Sequence, residues 1–205
     1  VEAYPFLRTE LIASTAFQRP IRSIVIGTGK RKVLYSAAHH ANEWLTATVL
    51  LKFIEDYAEA LQNDGEIGGI QARALYQSAT ISLVPLVNPD GVEIAVNGFE
   101  SAGRYAENCK KIASVSDEKW NANARGVDIN HNFDAGWNEL RRMETESGIL
   151  GPSPRRYGGY APESEPETPY NGTESAFDLR FAIIACLIFA GLVALFMVIS
   201  KKKPQ

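Results

Sequence analysis

The amino-acid sequence predicts an α/β domain followed by one transmembrane helix. Short apolar runs of β-type composition alternate with a longer segment of helical spacing, as in layered domains where helices cover a sheet. Twenty consecutive residues, 181–200, carry neither a charge nor a proline. A chain of 205 residues is long enough for one domain with a hydrophobic core and an appendage.

Two β-rich runs come early in the predicted domain. The first, IRSIVIGTG, spans 21–29, and the second, KRKVLYSAA, spans 30–38. The connection Gly27-Thr28-Gly29-Lys30 lies between them, and short glycine-containing connections join the strands of hairpins. We therefore expect these two runs to pair with each other as a β-hairpin.

The longest helical pattern follows directly. From Glu43 to Leu61, apolar residues recur with helical spacing. Asn42 stands immediately before this pattern and is available as the N-cap. The sequence predicts an amphipathic helix over 43–61.

Further elements are indicated downstream. The apolar run 81–88, ISLVPLVN, is typical of a buried strand, and Asn88-Pro89-Asp90-Gly91 is a strong turn signal. We expect 126–133, GVDINHNF, to form another short strand. The segment 136–175 is rich in Gly, Pro, Ser and Glu and is expected to form surface loops.

Charge and cysteine content exclude some functional classes. The net charge of −3 at pH 7 does not favour nucleic acid as a partner. The two cysteines are Cys109 and Cys186, and the second lies inside the apolar segment, so no disulfide framework is expected.

The apolar segment Phe181–Ser200 is predicted to cross a membrane. As a helix it would be about 30 Å long, which matches the hydrocarbon core of a bilayer. The sequence KKKPQ follows at once, and the positive-inside rule places it in the cytoplasm, with 1–180 outside the cell. The predicted organisation is a domain at 1–168, a linker at 169–180, a single membrane span at 181–200 and a cytoplasmic basic tail at 201–205.

The stretch AHHANEW, 38–44, lies between the second β-rich run and the predicted helix. Imidazole and carboxylate are zinc ligands, and catalytic zinc sites combine three protein ligands with one open position. A strand ending at His40 and a helix beginning near Glu43 would direct both side chains into the crevice where α/β sheets bind ligands. The alternative for such a pair is a hydrogen-bonded histidine beside a helix-capping glutamate.

Six motifs occur in a specific order: YPFL (4–7), IGTG before a strand, AHHANEW, VPLVNPDGVE (84–93) with the leucine before it, NARGVDINHNFDAGW (123–137) and PESEPET (162–168). Together they resemble the zinc carboxypeptidase (funnelin) family, and within it the bacterial branch that cleaves γ-D-glutamyl-diamino acid bonds in peptidoglycan peptides. The resemblance covers about residues 1–168. It implies the N-terminal half of a mixed, mostly parallel sheet flanked by helices, a Zn²⁺ cofactor and metal-assisted hydrolysis of a peptide substrate.

The resemblance also implies roles for individual residues. His40 and Glu43 match the first two zinc ligands of the family, whereas His39 matches no ligand position and is expected to be a packed or hydrogen-bonded neighbour. Asn130 and His131 match the Asn-Arg pair that holds a substrate carboxylate in typical members. The histidine is a departure, because arginine offers a fixed bidentate fork and imidazole does not.

Another departure lies after Trp120. At this point the family usually has a cation that stabilises the oxyanion of the reaction. Here the residue is Asn121, and Arg125 lies nearby as a candidate substitute that contacts substrate.

The family's third zinc ligand and its general-base glutamate are expected beyond the SEPET motif. The sequence has three histidines, at 39, 40 and 131, and no glutamate follows Glu174. Ser164-Glu165-Pro166-Glu167 is a capping box that should open a helix, but Pro169 follows within the first turns. We therefore identify no general base and expect little peptidase activity from this chain alone.

Two alternatives remain open. The chain could be a non-catalytic surface-anchored module that binds the cell wall, or a truncated remnant of an enzyme. Thr168-Pro169-Tyr170-Asn171-Gly172 resembles a sorting signal of Gram-positive surface proteins, departing from it at Thr168 and Asn171. Sortase anchoring to the wall is thus an alternative to a single-span membrane anchor.

Overall fold

Residues 3–115 and 118–168 are described here from a computed structural model. The strands are β1 (Arg8–Ser14), β2 (Pro20–Gly27), β3 (Arg31–Ser36), β4 (Glu66–Ile67), β5 (Ile70–Gln71) and β6 (Ala79–Val84). The α-helices are α1 (Trp44–Gln62), α2 (Ala72–Ser78), α3 (Pro89–Asn97), α4 (Ala106–Ala113) and α5 (Trp137–Glu146). Short 3₁₀ helices span Ala41–Glu43, Phe99–Tyr105 and Ile129–His131.

The main sheet has four strands in the order β1-β2-β6-β3. β1 pairs with β2 and β2 with β6 in antiparallel fashion, whereas β3 pairs with β6 in parallel. The predicted α/β class and the mixed sheet are confirmed. The expectation of a mostly parallel sheet is wrong for the described strands, because only one of these three pairings is parallel.

The predicted hairpin between the first two β-rich runs is also wrong, because β6 lies between β2 and β3. The connection between β2 and β3 is hydrogen-bonded to the end of α2 and the start of β6. Thr28 N–H donates to Tyr76 O at 2.8 Å, and Gly29 N–H donates to Ala79 O at 3.2 Å. Gly29 approaches this chain so closely that a Cβ there would lie 2.0 Å from the carbonyl carbon of Ser78. A side chain at position 29 would therefore push β6 out of the sheet.

The core forms where α1 covers the sheet. One face of α1 is buried, with Tyr57 fully enclosed, and it packs against inward-facing side chains such as Ile26 and Leu83. The sheet residues alternate in burial on β2, while β6 is buried almost throughout, as expected for a central strand. This layer fixes the position of the loop that connects β3 to α1.

Several local predictions need correction. The helix predicted over 43–61 is confirmed as α1, but Asn42 lies inside a 3₁₀ turn and Glu43, without a side-chain capping bond, precedes the helix. The strand predicted at 126–133 is instead a loop with a 3₁₀ turn. The predicted loop region 136–175 contains α5 within its described part. No described residue in 147–168 is helical, so the capping box opens no helix there.

The predicted turn at 88–91 is also a helix start. Pro89 occupies the first helical position of α3, and the Asn88 side chain accepts a hydrogen bond from Gly91 N–H. Proline at N1 and asparagine at the N-cap are both favoured at helix starts, so the same residues satisfy turn and helix patterns.

No helix within 3–115 or 118–168 is long and apolar enough to span a bilayer. The predicted linker at 169–180, the membrane span at 181–200 and the basic tail at 201–205 lie outside the described residues. They stay predictions.

Candidate metal centre

The loop between β3 and α1 carries the two histidines. Its backbone follows the end of β6, since Ala37 N–H donates to Val84 O and Val87 N–H donates to Ala37 O. Ala38 has a left-handed backbone with φ +52°, a conformation that non-glycine residues rarely adopt. Its N–H donates to Thr46 Oγ1 at 2.9 Å. These bonds hold the loop in a sharp bend before His40.

A buried carboxamide holds the loop from the other side. Asn88 is fully buried, and its Nδ2 donates to His39 O at 3.1 Å and to Ala122 O at 3.2 Å. Its Oδ1 accepts from Gly91 N–H at 2.9 Å. One side chain therefore connects the histidine loop, the start of α3 and the segment after Trp120.

The two predicted zinc ligands lie side by side. His40 Nδ1 is 2.9 Å from Glu43 Oε1. The other ring nitrogen, His40 Nε2, is 3.1 Å from Asp128 Oδ1. Asp128 is buried, and its second carboxylate oxygen accepts from Arg156 N–H at 3.2 Å. The imidazole of His40 is thus held between two carboxylates.

This environment shifts the ionisation of all three groups. Burial lowers the pKa of His40, but hydrogen bonds to Asp128 and Glu43 outweigh it and raise the pKa to about 10. The hydrogen bond to His40 lowers the pKa of Glu43 against the effect of partial burial. Burial raises the pKa of Asp128, yet its hydrogen bond to His40 outweighs burial and brings the pKa below the ordinary value.

The pair suits one shared metal ion. An imidazole nitrogen and a carboxylate oxygen are both zinc donors, and at 2.9 Å apart these two are close enough that they would bind the same ion. An ion there would replace the proton on His40 Nδ1, while Asp128 would keep the opposite ring nitrogen protonated and oriented, as outer-sphere carboxylates do. The assignment of His40 and Glu43 as ligands stays a prediction.

A complete metal site is not formed by the part of the chain that the structure describes. Among residues 3–115 and 118–168, no group of three or more His, Cys, Asp or Glu side chains is arranged to hold a metal ion. His39 lies apart from the pair, with its Nε2 2.9 Å from Ser36 Oγ and its ring against Phe133. Burial, followed by repulsion from His40, lowers the pKa of His39 to about 4, so it is neutral at pH 7.

The predicted substrate-binding residues Asn130 and His131 lie three residues or fewer from Asp128. Asn130 is exposed, and its N–H donates to Asp128 Oδ1 at 3.2 Å. His131 Nδ1 lies 2.9 Å from both Glu144 Oε1 and the backbone oxygen of Arg156. The structure therefore brings these two residues close to the carboxylate that orients His40.

Arg125, the third predicted substrate contact, belongs to a different cluster. Its guanidinium is 3.6 Å from Glu165 Oε2 and half exposed. Asn123 Nδ2 donates to Glu165 at 2.8 Å and to Glu167 at 3.3 Å, and both glutamates are buried. Burial raises the pKa of Glu167 to about 7, and its Oε1 has no hydrogen-bond partner among the described residues.

Asn121 stands where the family usually has a cation. Its backbone oxygen accepts from Ala41 N–H at 3.0 Å, which places it beside the histidine loop. Its side-chain oxygen is buried and has no hydrogen-bond partner among the described residues. The orientation of this carboxamide is thus not imposed by its own hydrogen bonds.

Sequence reasoning missed two carboxylates of this site. Asp128 was hidden in a segment predicted as a strand, and Glu144 in a segment predicted as a loop. An aspartate three residues before His131, the predicted substrate-binding histidine, was a usable signal for Asp128, because metal-bound histidines normally donate their second N–H to a carboxylate or carbonyl. For Glu144, 13 positions beyond His131, the local sequence holds no such signal.

Replacement of Asp128 should weaken zinc binding without removing a ligand. We expect Asp128→Asn to lower the zinc affinity of the full chain by about 10–100-fold, the range for loss of an outer-sphere carboxylate. Isothermal titration with Zn²⁺ measures it, with Asp134→Asn, at an exposed position, as the control. Equal affinity of both variants would contradict the role of Asp128.

Glu167 should make stability fall as the pH rises. Its pKa is raised from 4.5 to about 7, so between these values the folded state holds a proton that the unfolded state has lost. Relative to Glu167→Gln, the wild type should lose about 3 kcal/mol of unfolding free energy between pH 4.5 and pH 8. Urea denaturation across this range measures the difference. The exposed Glu163→Gln should follow the wild type, and parallel curves for all three proteins would refute it.

This chain is similar to known proteins of one family. The family model described as zinc carboxypeptidase matches residues 1–171. A γ-D-glutamyl-L-diamino acid endopeptidase of Lysinibacillus sphaericus is 41% identical over 169 residues, covering 80% of this chain and 41% of the relative. The protein YqgT of Bacillus subtilis is 34% identical over 172 residues, covering 82% of this chain and 45% of the relative.

Solved structures show the same fold. Carboxypeptidase A from Helicoverpa armigera superposes with a TM-score of 0.54 at 21% identity, covering 82% of this chain and 37% of that one. Thrombin-activatable fibrinolysis inhibitor gives 0.55 at 21% identity, covering 81% and 38%. The chain spans less than half the length of the relatives it matches. By family match and identity, it belongs to the zinc carboxypeptidases.

Proposed function

We propose that this chain provides the N-terminal half of a zinc peptidase that hydrolyses the γ-D-glutamyl-diamino acid bond of peptidoglycan stem peptides. His40 and Glu43 serve as two zinc ligands, Asp128 orients His40, and Asn130 with His131 contacts the substrate. When bound, zinc supplies Lewis acidity for the scissile carbonyl and lowers the pKa of its bound water.

The observation that carries this proposal is the placement of His40 between Glu43 and Asp128. One ring nitrogen of His40 faces Glu43, the second candidate ligand, and the other faces the buried carboxylate of Asp128. Metal-bound imidazoles have this arrangement. The substrate class is supported by the 41% identity to the Lysinibacillus sphaericus enzyme, whose name specifies the γ-D-glutamyl-L-diamino acid bond.

A second candidate is a non-catalytic module that binds wall peptides in the same crevice. It is favoured by the asparagine at position 121, where the family usually has a cation. Zinc binding separates the two, because a zinc peptidase requires His40 and Glu43 to bind the ion and a binding module does not.

We further propose that the protein is held at the outer face of the cell membrane by 181–200. This rests on the uncharged apolar composition of that segment and on the three lysines after it. Sortase transfer at 168–172 is the alternative mode of anchoring.

Zinc-dependent hydrolysis should depend on His40. Because the part of the chain that the structure describes holds no group of three candidate ligands and catalytic zinc uses three, we expect the full chain alone to cleave γ-D-glutamyl-diaminopimelyl peptides very slowly at most. A chimera with residues 1–168 in place of the matching stretch of the Lysinibacillus sphaericus enzyme should be active. His40→Ala in the chimera should lower kcat/KM by at least about 100-fold, beyond the usual effect of an outer-sphere partner.

The exposed Glu139→Gln provides the matched control in the same chimera and should retain activity. A folded chimera that binds one zinc per chain yet cleaves no γ-D-glutamyl peptide would refute the proposed substrate. Product release is followed by chromatography of the freed diaminopimelyl peptide.

Removal of 181–205 should transfer the protein from the membrane fraction to the soluble fraction of producing cells. The physical reason is the loss of an apolar segment as long as the hydrocarbon core. Immunoblots of fractionated cells measure the distribution, with the full chain as reference. Retention of the shortened protein in the membrane fraction would oppose this mode of anchoring.

A further inference from the structure

A buried glutamate on α5 contacts the ring of His131. Glu144 is 4% exposed, and its Oε1 lies 2.9 Å from His131 Nδ1. Its Oε2 accepts from Gly158 N–H at 3.1 Å and from the Arg141 guanidinium. The charge of Glu144 is therefore balanced by Arg141, and both of its oxygens are occupied.

The backbone of Arg156 holds the same ring from a second side. Its carbonyl oxygen lies 2.9 Å from His131 Nδ1, while its N–H donates to Asp128 Oδ2. Arg156 has φ +67°, which is unfavourable for a residue with a side chain. One strained residue thus connects His131 with the carboxylate that orients His40, and such strain persists where the surroundings enforce it.

These contacts decide the tautomer of His131. Both partners of Nδ1 are oxygen acceptors, so Nδ1 must carry a proton. In a neutral imidazole the opposite nitrogen, Nε2, is then a hydrogen-bond acceptor. Nε2 has no hydrogen-bond partner among residues 3–115 and 118–168, and a quarter of the side chain is exposed.

We propose that Glu144 and the Arg156 backbone hold His131 as its Nδ1–H tautomer, so that Nε2 accepts a hydrogen bond from an amino group of the substrate. This inference rests on the proposed function and deepens it. His131 is a specificity-determining residue that selects the second amine of the diamino acid, and Glu144 is a positioning residue that acts through His131.

The chemistry differs from what arginine would do at position 131. A guanidinium carries donors alone and matches a carboxylate in a bidentate manner. An imidazole with its Nδ1–H engaged presents one acceptor and matches an ammonium or amide N–H. The exchange of arginine for histidine therefore changes the recognised group from an acid to an amine.

The tautomer is measured directly by NMR. The sequence contains three histidines, so a long-range ¹H–¹⁵N spectrum of the full chain resolves each ring. The signals that disappear in His131→Phe are those of His131. We expect the Nδ1–H form of His131 at pH 7.5, and a mixture of both tautomers in Glu144→Gln. An Nε2–H tautomer or a doubly protonated ring in the wild type would overturn the assignment.

Amine selection is measured with two matched dipeptides, γ-D-glutamyl-L-lysine and γ-D-glutamyl-L-norleucine, which differ in the terminal ammonium group. We expect the lysine dipeptide to bind about tenfold more tightly to the full chain, a difference of about 1.4 kcal/mol, since a hydrogen bond to a charged group favours binding. The ratio of the two affinities should fall to about one in His131→Phe and in Glu144→Gln. His131→Arg should lower it as well.

A ratio of one in the wild type would overturn amine selection and leave the proposed function standing. Failure of both dipeptides to bind would instead refute the proposed function, and amine selection with it, while the tautomer is still read from the spectrum. If Glu144→Gln does not fold, His131→Phe at its partly exposed position supplies the same comparison. A ratio that stays near ten in His131→Phe would also overturn the proposal.

Discussion

The geometry of the candidate metal centre depends on the buried carboxamide of Asn88. Its three hydrogen bonds join the loop of His39 and His40, the segment after Trp120 and the first turn of α3. An isolated buried amide would destabilise the fold, but a fully bonded one rigidifies the segments that it joins. Gly91 permits this arrangement, because a Cβ there would lie 2.3 Å from Ala122 O and 2.5 Å from Asn88 Nδ2.

Buried carboxylates continue the same organisation from His40 toward His131. Asp128 accepts from His40 and from the backbone of Arg156, and Glu144 accepts from Arg141, Gly158 and His131. Burial of a carboxylate is unfavourable unless donors surround it, so each group stabilises one arrangement of its neighbours and disfavours others. Arg156 links the two carboxylates indirectly: its N–H donates to Asp128, and its carbonyl oxygen contacts His131, which is the partner of Glu144. Orientation of His40 and orientation of His131 are therefore coupled through one peptide segment.

The sequence allowed the family to be predicted, because it depends on short motifs. The assignment of His40 and Glu43 as zinc ligands rests on the same motifs and stays a prediction. His40 and Glu43 are three positions apart at a junction between a strand and a helix, and the order of the motifs identified the fold. The fold class followed from local periodicity. By contrast, Asp128 and Glu144 contact His40 and His131, which lie 88 and 13 positions away, and local patterns do not show which histidine a distant carboxylate contacts.

The errors in the predicted elements have physical causes as well. Asn88-Pro89-Asp90-Gly91 has the composition of a turn, yet asparagine and proline are equally suited to the first positions of a helix, and burial of Asn88 selects the helix. Glycine-rich residues 27–30 resemble a hairpin connection. Only the position of β6, which lies some 50 residues later, shows that this connection joins two strands that are not paired with each other.

That insertion has a consequence for how the chain reaches its native state. The native strand order requires residues 79–84 to pair with both β2 and β3, which precede them by many residues in the sequence. Native pairing is therefore non-local and slow to form. During this interval β2 and β3 are adjacent in sequence and free to pair with each other. The close approach of Gly29 to the chain before β6 favours the native arrangement over a hairpin of β2 and β3. In the native arrangement Thr28 and Gly29 donate hydrogen bonds to Tyr76 and Ala79. During folding, the first 84 residues can therefore form either a local hairpin of β2 and β3 or the native sheet in which β6 lies between these strands.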